Sequence, residues 1–313
     1  MANSQSHQVK VSVIIVNFNS GQLLSRCIQS IRQSSIPVDI IVVDNHSSDN
    51  SIAEAFQLSK NNNITFIQNT QNTGFAHASN QALEHADGKY WLFLNPDCIV
   101  KPETIAEMQQ LMEDNPDVAM SGPLIVNPDG TEQRGCRRTV PTPWRSFVRA
   151  FGLSRLFQGH AKFKDFLLNK EPLPETPVDV EAISGAFMFV RSSVTKEVGL
   201  LDEGYFLHCE DLDWCMRFRL AGWRIVFTPD VKIMHVKGGC SESRFVFVQW
   251  HMHCGMVRFY RKFFKKKYPG ILMWLVMLAV WLRFGALLAL NSLKKIKIMF
   301  LSLRTKLYAN RSH

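Results

Sequence analysis

Two carboxylates each follow a run of apolar residues that predicts a buried strand. Asp44 comes directly after Val38–Val43, and Asp97 lies in the turn Asn95–Asp97 that follows Tyr90–Leu94. Ligands of parallel α/β sheets bind beyond the carboxyl ends of the strands, so position alone makes both acids site candidates. Two such acids repel each other unless a cation lies between them. Oxygen ligands, completed by the diphosphate of a nucleotide, suit Mg2+ or Mn2+.

The first third of the sequence must supply the elements that position these acids. Its opening strand is a nearly continuous run of apolar, β-branched residues, typical of a strand that is buried on both faces. Strands alternate with amphipathic segments, which predicts the order βαβαβαβα and a parallel, doubly wound sheet. The predicted strands are Val11–Phe18, Val38–Val43, Ile64–Ile67 and Tyr90–Leu94, and the helices begin near Ser20, Ser47–Asp49, Thr73 and Pro102.

The middle of the sequence is less regular. Between about residues 122 and 180 we expect turns, a proline-rich linker and a basic cluster made of Arg134, Arg137 and Arg138. We expect this cluster on a solvated face, with contact to a diphosphate-linked lipid as the alternative. Predicted elements then resume with a strand at Ala182–Arg191, a helix that begins near Glu210, and two short strands at Arg224–Phe227 and Val231–His235.

Composition and charge bound the class of protein. The chain has 313 residues, of which 46% are hydrophobic and 20% charged, and this excludes a disordered, collagen-like or coiled-coil chain. From Arg244 to His313 there are 14 basic residues and no acid, whereas the preceding part holds 22 basic and 27 acidic residues. We therefore divide the chain into a mildly acidic body, residues 1–243, and a basic tail, residues 244–313.

The tail contains one long apolar stretch, Ile271–Leu290, which Arg283 interrupts. As a helix it would match a bilayer core about 30 Å thick. Lysines flank it on both sides, which suits anionic headgroups but does not favour a simple span. A helix in the inner leaflet, a single span, and a buried core or oligomer helix all stay open. No nucleic-acid-binding motif accompanies the charges, so we expect a membrane partner and no nucleic acid.

Other signals restrict compartment and cofactor. The seven cysteines are scattered, odd in number and without a CxxC pair, so a reducing compartment is expected. MANSQSHQVK has no apolar stretch before Val11, and we expect no secretory signal. GxGxxG and GxxxxGK[ST] do not occur, which removes the main support for dinucleotide and P-loop sites. His251 and His253 are expected on a helix surface.

The body carries six ordered motifs that resemble glycosyltransferase family 2. They are VSVIIVNFNSGQLL, VVDNHSSDNS, NTGFAHASNQAL, WLFLNPDC, SGAFMFVRSS and LDEGYFLHCEDLDWCMRFRLAGW, and they cover about Val11 to Ser241. The resemblance implies the α/β fold called GT-A, a nucleotide-diphospho-sugar transferase fold with a Rossmann-like mixed sheet. It also implies an inverting mechanism. Within the family, the motifs are similar to those of bacterial rhamnosyltransferase-like members that build cell-surface polysaccharide.

The resemblance places a donor site at the ends of the first strands. Asp44 is similar to the acid that contacts the base or ribose of the nucleotide. Asn95 stands where the family's DxD motif has its first acid. The implied nucleotide- and donor-binding residues are Asn17, Asn19, Asp44, Asn72, Gly74, Asn80 and Asn95.

The resemblance also implies a metal site and a catalytic base. Asp97 matches the last acid of the DxD motif, and His235 matches a histidine that completes the metal site of some relatives, with Mg2+ or Mn2+ as the ion. Asp211 matches the base that takes the proton of the acceptor hydroxyl as it attacks the anomeric carbon. Glu210, Asp213 and Trp214 are expected to hold the acceptor or to position the base.

Together these features predict an inverting, metal-dependent glycosyltransferase. It would move a sugar, for example L-rhamnose from dTDP-rhamnose, from a nucleotide-diphospho-sugar to a lipid-linked or glycan acceptor. The predicted location is the cytoplasmic face of the inner (plasma) membrane, as a peripheral or monotopic protein. Two alternatives are a processive polysaccharide synthase and a non-catalytic, membrane-bound scaffold that retains the fold. Gln249-Trp250 is not the QxxRW motif that such synthases carry.

Overall fold

The chain divides into two compact units, Met1–Ser243 and Arg244–His313. The structure is a computed structural model that describes residues 10–58, 64–150, 153–157, 160–163, 166–236 and 244–309. Within those ranges the first unit is an α/β domain and the second consists mainly of two helices.

The described strands, in chain order, are β1 (Val11–Asn17), β2 (Val38–Asp44), β3 (Ile64–Gln68), β4 (Tyr90–Leu94), β5 (Cys98–Ile99), β6 (Val118–Val126), β7 (Arg137–Arg138), β8 (Val178–Asp179), β9 (Ala182–Ile183), β10 (Phe187–Arg191) and β11 (Arg224–His235). The helices are α1 (Gln22–Arg32), α2 (Ser51–Leu58), α3 (Phe75–Leu83), α4 (Thr104–Asp114), α5 (Pro143–Ala150), α6 (Leu153–Leu156), α7 (Thr195–Val198), α8 (Glu210–Leu220), α9 (Phe245–Phe264) and α10 (Gly270–Ala309).

The first four strands form the parallel part of the main sheet, in the order β3-β2-β1-β4. Their predicted positions are confirmed to within a residue at each end. Val13, Ile15 and Leu92 from these strands are buried in the core, against Leu24 and Ile28 of α1. Each such side chain stabilises the fold by roughly 1.5–3 kcal/mol relative to an exposed one. The apolar runs of these strands therefore correspond to side chains that pack in the core.

The remainder of the sheet is mixed. β10 runs antiparallel between β4 and β6, β11 pairs parallel with β6, and β5 and β8 pair antiparallel with β11. The alternation of strands and helices in the first third predicts a parallel sheet, and this is confirmed for β1 to β4 but does not extend to the later strands. The mixed sheet implied by the family resemblance is the arrangement that the structure has.

β6 is a central strand that the sequence did not predict. It contains Gly122 and Pro123, residues that usually interrupt a strand, which is why its region was interpreted as irregular. A Cβ at Gly122 would lie 2.9 Å from the Cδ1 atom of Ile183, so the glycine permits a close approach of β9. Non-local packing, rather than strand propensity, determines this part of the sheet.

Two further predictions are corrected near the end of the unit. The strands predicted at 224–227 and 231–235 are one strand, β11, whose register shifts between Thr228 and Lys232 around Pro229. The strand predicted at Ala182–Arg191 is divided into β9 and β10 by the residues Ser184–Ala186. This interruption turns the backbone at Gly185 toward α8, where the candidate site lies.

The second unit contains α9 and α10. The segment Gly270–Ile296 of α10 has a mean hydropathy of 2.2 and is, among the described residues, the one helical segment long and apolar enough to cross a bilayer. His253 of α9 was predicted on a helix surface but is buried. Its Nδ1 atom donates to the Gln249 carbonyl (2.6 Å), and Arg283 of α10 lies 3.4 Å from its Nε2 atom.

Candidate functional site

The carboxyl ends of β1 and β2 lie side by side, with Asn17 and Asp44 paired in register. The Asn17 amide donates to Asp44 Oδ1 (2.7 Å), Ser47 Oγ (3.1 Å) and Ser51 Oγ (2.9 Å). The backbone N–H of Ser47 donates to the other Asp44 oxygen (3.1 Å). Asn17 is fully buried, and its side chain fixes the Asp44 carboxylate at the sheet edge. A contact between Asn17 and the donor stays a prediction.

Asn19 lies in the loop after β1 and holds that loop to the one after β2. It has a positive φ of 52°, and its side-chain oxygen accepts the backbone N–H of Ser48 (2.7 Å). Its own N–H donates to Ser47 Oγ (2.9 Å). The two loops therefore form one surface beside Asp44, where a donor contact by Asn19 stays a prediction.

Asn45, the residue after β2, organises the loop that precedes α3. Its Nδ2 atom donates to Asn72 Oδ1 (3.0 Å) and to the Gly74 carbonyl (3.1 Å). Its Oδ1 atom accepts from Asn69 Nδ2 (3.1 Å) and from the backbone N–H (3.1 Å) and hydroxyl (3.0 Å) of Thr73. The sequence interpretation missed Asn45. Its position directly after a strand-end acid was the one available signal.

Gly74 brings this loop against the segment that leads into α8. Its φ of +86° lies in the left-handed region, and a Cβ there would be 2.6 Å from the Phe206 carbonyl oxygen. The same carbonyl accepts the N–H of Phe75 (2.8 Å), the first residue of α3. His208 and Cys209 follow with positive φ values of 67° and 71° and turn the chain into α8. Glycine at position 74 therefore allows the donor-side loop to hold the start of α8.

Asp97 and His235 are neighbours across the pairing of β5 with β11. The Nε2 atom of His235 is 2.9 Å from Asp97 Oδ1. Gln133 donates to Asn127 Oδ1 (3.1 Å) and to the His235 carbonyl (3.3 Å), so its Oε1 atom must accept from His235 Nδ1 (2.6 Å). Nδ1 is therefore the donor to Gln133, and Nε2 is the ring nitrogen that faces the carboxylate.

These donor atoms fit a divalent metal ion. The Asp97 carboxylate oxygen and the His235 Nε2 atom, 2.9 Å apart, need a proton or a metal cation between them. Oxygen and nitrogen ligands together suit Mn2+. One or two protein carboxylates together with diphosphate oxygens suit Mg2+. The Cys98 sulfur completes a group of three donor atoms that lie within 4.8 Å of one another. The residues that the sequence assigned to a metal are thus together and oriented.

Asp211, the second residue of α8, accepts hydrogen bonds at both of its carboxylate oxygens. Arg138 Nη2 and the N–H of Gly185 (3.0 Å) both donate to Oδ2, whereas Oδ1 accepts the N–H of Leu212 (2.7 Å). Burial would raise the pKa of Asp211. The charge and hydrogen bond of Arg138, together with the two backbone N–H groups, outweigh burial and hold that pKa below its usual range. Asp211 is therefore ionised, with Oδ1 the less occupied oxygen.

Glu210 is adjacent to Asp211 in the chain, but its pKa is shifted in the opposite direction. Its side chain is buried, and its Oε2 atom has no hydrogen-bond partner among the described residues. Burial, and after it the negative charge of Asp211, raises the pKa of Glu210 to about 8. At neutral pH the pair consists of a neutral acid beside a carboxylate. Pairs of titratable groups whose pKa values are driven apart are typical of acid–base sites.

The basic cluster of the sequence is not a solvated face. Arg137 is buried and binds Glu132 Oε1 (3.0 Å) through its Nε atom, and Arg138 pairs with Asp211. Of the three arginines in the cluster, Arg134 is exposed as predicted. Arg137 pairs with an acid only five residues earlier in the chain, whereas the partner of Arg138 lies 73 residues away and leaves no local signal in the sequence.

Asp213 and Trp214, predicted to hold the acceptor or to position the base, are both enclosed in the core, which favours the positioning role. Asp213 is fully enclosed, where it accepts from Arg217 Nε (2.7 Å) and from the Tyr205 hydroxyl (3.0 Å). Trp214 is also fully buried, and its indole N–H donates to the Gly199 carbonyl (2.9 Å). Neither side chain has surface left for an acceptor. Both anchor α8 to the core and so position the residues at its start.

Asn80 lies on α3 and binds the segment before α8. Its Nδ2 atom donates to the Leu201 carbonyl (2.9 Å) and to Glu203 Oε1 (2.9 Å), and its Oδ1 atom accepts the Leu201 N–H (3.1 Å). These bonds add a second tie between α3 and the segment that carries Asp211. A contact between Asn80 and the donor stays a prediction.

Backbone hydrogen bonds connect the acids of the site. The N–H of Asn95 donates to the Ala186 carbonyl (3.0 Å), and Ala186 directly follows Gly185, whose N–H binds Asp211. Asn95 is two residues before Asp97, and β4, which it follows, runs parallel to β1. Asp44, Asp97 and Asp211 therefore lie along one edge of the sheet in the first unit.

Comparisons with known proteins agree with this arrangement. The family described as Glycosyl transferase family 2 matches residues 12–198. The N-acetylglucosaminyl-diphospho-decaprenol L-rhamnosyltransferase of Mycobacterium tuberculosis is 27% identical over 237 residues, which cover 72% of this chain and 75% of the relative. Rhamnosyltransferase WbbL of Escherichia coli is 28% identical over 191 residues, covering 57% of this chain and 67% of the relative.

A solved structure extends the likeness to the fold. The mannosyltransferase PcManGT from Pyrobaculum calidifontis, in complex with GDP-Man and Mn2+, superposes with a TM-score of 0.56 at 17% identity. The superposition covers 93% of this chain and 81% of the mannosyltransferase. At this identity the likeness concerns the fold alone, and it confirms the predicted GT-A architecture.

Proposed function

The chain belongs to glycosyltransferase family 2, and we propose that it transfers a sugar with inversion from a nucleotide-diphospho-sugar to a lipid-linked or glycan acceptor. L-Rhamnose carried by dTDP is the proposed donor, because two of the similar proteins are rhamnosyltransferases. The proposed acceptor resembles the diphosphate-linked polyprenol named for the mycobacterial relative, and the product would enter cell-surface polysaccharide. Pocket side chains, rather than the fold, set such specificity.

The donor would lie against the loops after β1, β2 and β4. Asp44 supplies a carboxylate for the base or ribose, and Asn19, Asn72 and Asn95 border the same edge. Gly74 keeps the loop before α3 close to α8 because a side chain there would strike Phe206. Support for this assignment comes from the hydrogen bonds that fix each loop before any ligand binds.

Asp97 and His235 would hold a divalent ion, Mg2+ or Mn2+, beside the donor diphosphate. When bound, such an ion offsets the negative charge that develops on the leaving nucleoside diphosphate. Gln133 would keep the proton on His235 Nδ1 and so leave Nε2 available as a ligand.

Asp211 would act as the general base. Its Oδ1 atom takes the proton of the acceptor hydroxyl, while Arg138 and Gly185 hold Oδ2 in place. Glu210, neutral at the working pH, can hydrogen-bond the acceptor without adding a second negative charge. One base on the face opposite the leaving group gives inversion in a single displacement. The observation that carries this proposal is the ionised Asp211, whose Oδ2 atom is held by two donors and whose Oδ1 atom by one, at the same sheet edge as Asp44 and Asp97.

Transfer by the purified full chain tests this function directly. The assay offers dTDP-, UDP- and GDP-sugars with a polyprenyl-diphosphate-linked N-acetylglucosamine acceptor. Asp211→Asn should lower kcat by about 10²–10⁴-fold, which is the usual size of general-base catalysis. Asp230→Asn, a change of an exposed acid on β11, is the matched control and should transfer normally. Unchanged transfer by folded Asp211→Asn, or no transfer of any sugar by the natural chain, would refute the proposal.

The second unit would attach the protein to the cytoplasmic face of the inner (plasma) membrane, as a peripheral or monotopic protein. The apolar side chains Ile271, Trp274 and Leu282 of α10 are exposed, and exposed lysines precede the helix. Replacement of Lys262, Lys265, Lys266 and Lys267 by Gln should weaken sedimentation with anionic vesicles, since each basic residue near the surface contributes about 1 kcal/mol. Equal sedimentation of variant and natural chain would contradict this role of the lysines.

A further inference from the structure

A continuous cluster of aromatic side chains lies on the surface of the first unit, on α5, after α6 and in the turn that follows. Trp144 stacks on Phe147 (ring centroids 5.7 Å apart) and contacts Phe163 (5.8 Å), which stacks on Phe157 (4.5 Å). Trp144, Phe147 and Phe157 are 44%, 45% and 49% exposed, and neighbouring Leu156 is 73% exposed. Single exposed apolar residues are common, whereas a contiguous group of them marks an interaction surface.

The opposite face of α5 fixes this aromatic cluster in its outward position. Val148 is fully buried, and Arg145 binds Glu181 through two hydrogen bonds of 2.6 and 3.2 Å. The indole N–H of Trp144 donates to the Lys162 carbonyl (2.7 Å), so its one polar group is already bonded. The rings are therefore held at the surface by the fold and do not need to bury a polar atom when they are covered.

The charge around the cluster indicates what covers it. The segment from Thr139 to Asp165 contains five basic residues and one acid, so it stays positive even when the Arg145–Glu181 pair is discounted. Aromatic rings flanked by Arg and Lys are the composition of protein surfaces that lie in the headgroup layer of a bilayer. An anionic lipid surface complements both the charge and the rings.

The same segment carries a contact of the candidate base. β7, directly before α5, supplies Arg138, which binds Asp211. Arg138 also bridges to Leu167, and the Thr139 N–H donates to the Phe166 carbonyl (2.9 Å), so the chain returns to β7 after the cluster. The cluster and the acceptor side of the site thus belong to one structural segment of the first unit.

We propose that the aromatic cluster is a membrane contact of the first unit and inserts its rings into the interfacial layer of a bilayer that contains anionic lipid. A lipid-linked acceptor stays in such a bilayer, and the contact brings its sugar toward Asp211. This second step depends on the proposed function, whereas the contact itself does not. The contact is separate from any attachment made by α10.

Backbone amide hydrogen exchange of the full chain, followed by mass spectrometry, tests the contact without turnover. Exchange is compared without lipid, with phosphatidylcholine vesicles, and with vesicles that also contain phosphatidylglycerol. The anionic vesicles should slow exchange in α5 and α6 by about fivefold or more, because covered helices open less often. Phosphatidylcholine alone should slow it less. If exchange in α5 and α6 slows but the protein transfers no sugar, the membrane contact is supported and the proposed function is refuted.

Substitutions in the cluster make the test specific. Phe147→Ser with Leu156→Ser should remove the slowing in α5 and α6 but leave the slowing in α10, which confirms in the same sample that vesicles are bound. Leu220→Ser, at a 62% exposed position of α8, is the matched control and should behave like the natural chain. If the double variant does not fold, Arg149→Gln with Lys162→Gln keeps the rings and should reduce the slowing.

Two results would overturn the proposal. In the first, exchange in α5 and α6 is the same with and without anionic vesicles while α10 is slowed. In the second, exchange in α5 and α6 slows with increasing protein concentration in the absence of lipid, which would assign the cluster to contact with a second copy of the chain.

Discussion

Neutral amides and hydroxyls hold the loops after β1 and β2, whereas a buried charge pair holds the start of α8. Asn17 and Asn45 bind nearby backbone, hydroxyl, amide and carboxylate groups, and the Asp44 carboxylate receives its hydrogen bonds from the neutral groups of Asn17 and Ser47. Asp211 instead depends on Arg138, which lies 73 residues earlier in the chain. The proposed donor edge, formed by the loops after β1 and β2, is therefore held by hydrogen bonds from neutral groups, whereas the proposed acceptor edge, at the start of α8, is held by an ion pair.

This difference extends to the ionisation of the two edges. Burial, followed by the charge of Asp211, raises the pKa of Glu210 to about 8, while Arg138 and backbone N–H groups hold the pKa of Asp211 low against burial. Glu210 and Asp211 thus differ in protonation because Asp211 forms an ion pair with Arg138 and Glu210 has no such partner in the described structure. We infer that pH acts on this family member mainly through the acceptor edge.

The largest expected effect comes from removing that cation. Arg138→Gln leaves the Asp211 carboxylate buried without its ion pair, which should lower the free energy of unfolding by about 3–5 kcal/mol. The pKa of Asp211 should rise as well, so the acid limb of the pH profile of kcat/KM should move to higher pH. Urea unfolding measures the first effect, and transfer rates between pH 4 and 8 measure the second.

Two variants distinguish an electrostatic role from a structural one. Arg138→Lys restores the charge without the planar guanidinium and should return the acid limb most of the way to that of the natural chain. Arg134→Gln, an exposed neighbour in the same basic cluster, should change neither property by more than about 0.5 kcal/mol. An acid limb that is identical in Arg138→Gln and the natural chain would show that Arg138 does not control the ionisation of Asp211.

The next effect in size concerns Glu210, whose pKa is about 8 in the folded chain against 4.5 for an ordinary glutamate. Between these values the unfolded chain loses its proton first. The free energy of unfolding should therefore fall as pH rises through this window, by no more than about 1.4 kcal/mol per pH unit. Glu210→Gln has no proton to lose, so it should match the natural chain at pH 4 and exceed it by about 4 kcal/mol at pH 8.

Urea unfolding of both chains at pH 4, 6 and 8 checks this prediction. Glu103→Gln, a change of an exposed glutamate before α4, is the control and should run parallel to the natural chain across the range. A constant difference between Glu210→Gln and the natural chain at all three pH values would mean that Glu210 is ionised in the folded state.

The contrast between the two edges also explains what the sequence could predict. β1, β2 and β4 each have apolar runs that end at a polar residue, so their positions and the acids Asp44 and Asp97 followed from local pattern and topology. β6 was missed because Gly122 and Pro123 look like a turn, and only the packing of Ile183 against Gly122 shows why a strand is possible there.

Long-range pairings set the rest of the site. Arg138 meets Asp211, and Gln133 orients His235, through strands whose register depends on the whole sheet. Neither pairing has a local motif, and arginines in an irregular segment are usually solvated. The family resemblance supplied Asp211 and His235 as candidates, but it did not supply the partners, Arg138 and Gln133, that hold their side chains.

The smallest expected effect lies at the donor edge and concerns Asn45. Asn45→Ala removes two donated and three accepted hydrogen bonds from a partly exposed loop, which should cost about 2 kcal/mol of folding stability. Because all of these groups are neutral, the loss should be the same at pH 5 and pH 8. Asn45→Asp keeps the acceptor oxygen and should lose less stability, and Gln71→Ala, which removes an exposed amide in the same loop, should lose almost none.

Calorimetric titration with dTDP should show weaker binding for Asn45→Ala than for Gln71→Ala, since the loop that Asn45 orders borders Asp44. A loss that changed with pH, or equal nucleotide binding by the two variants, would place charge-dependent contacts at the donor edge too and remove the contrast with α8.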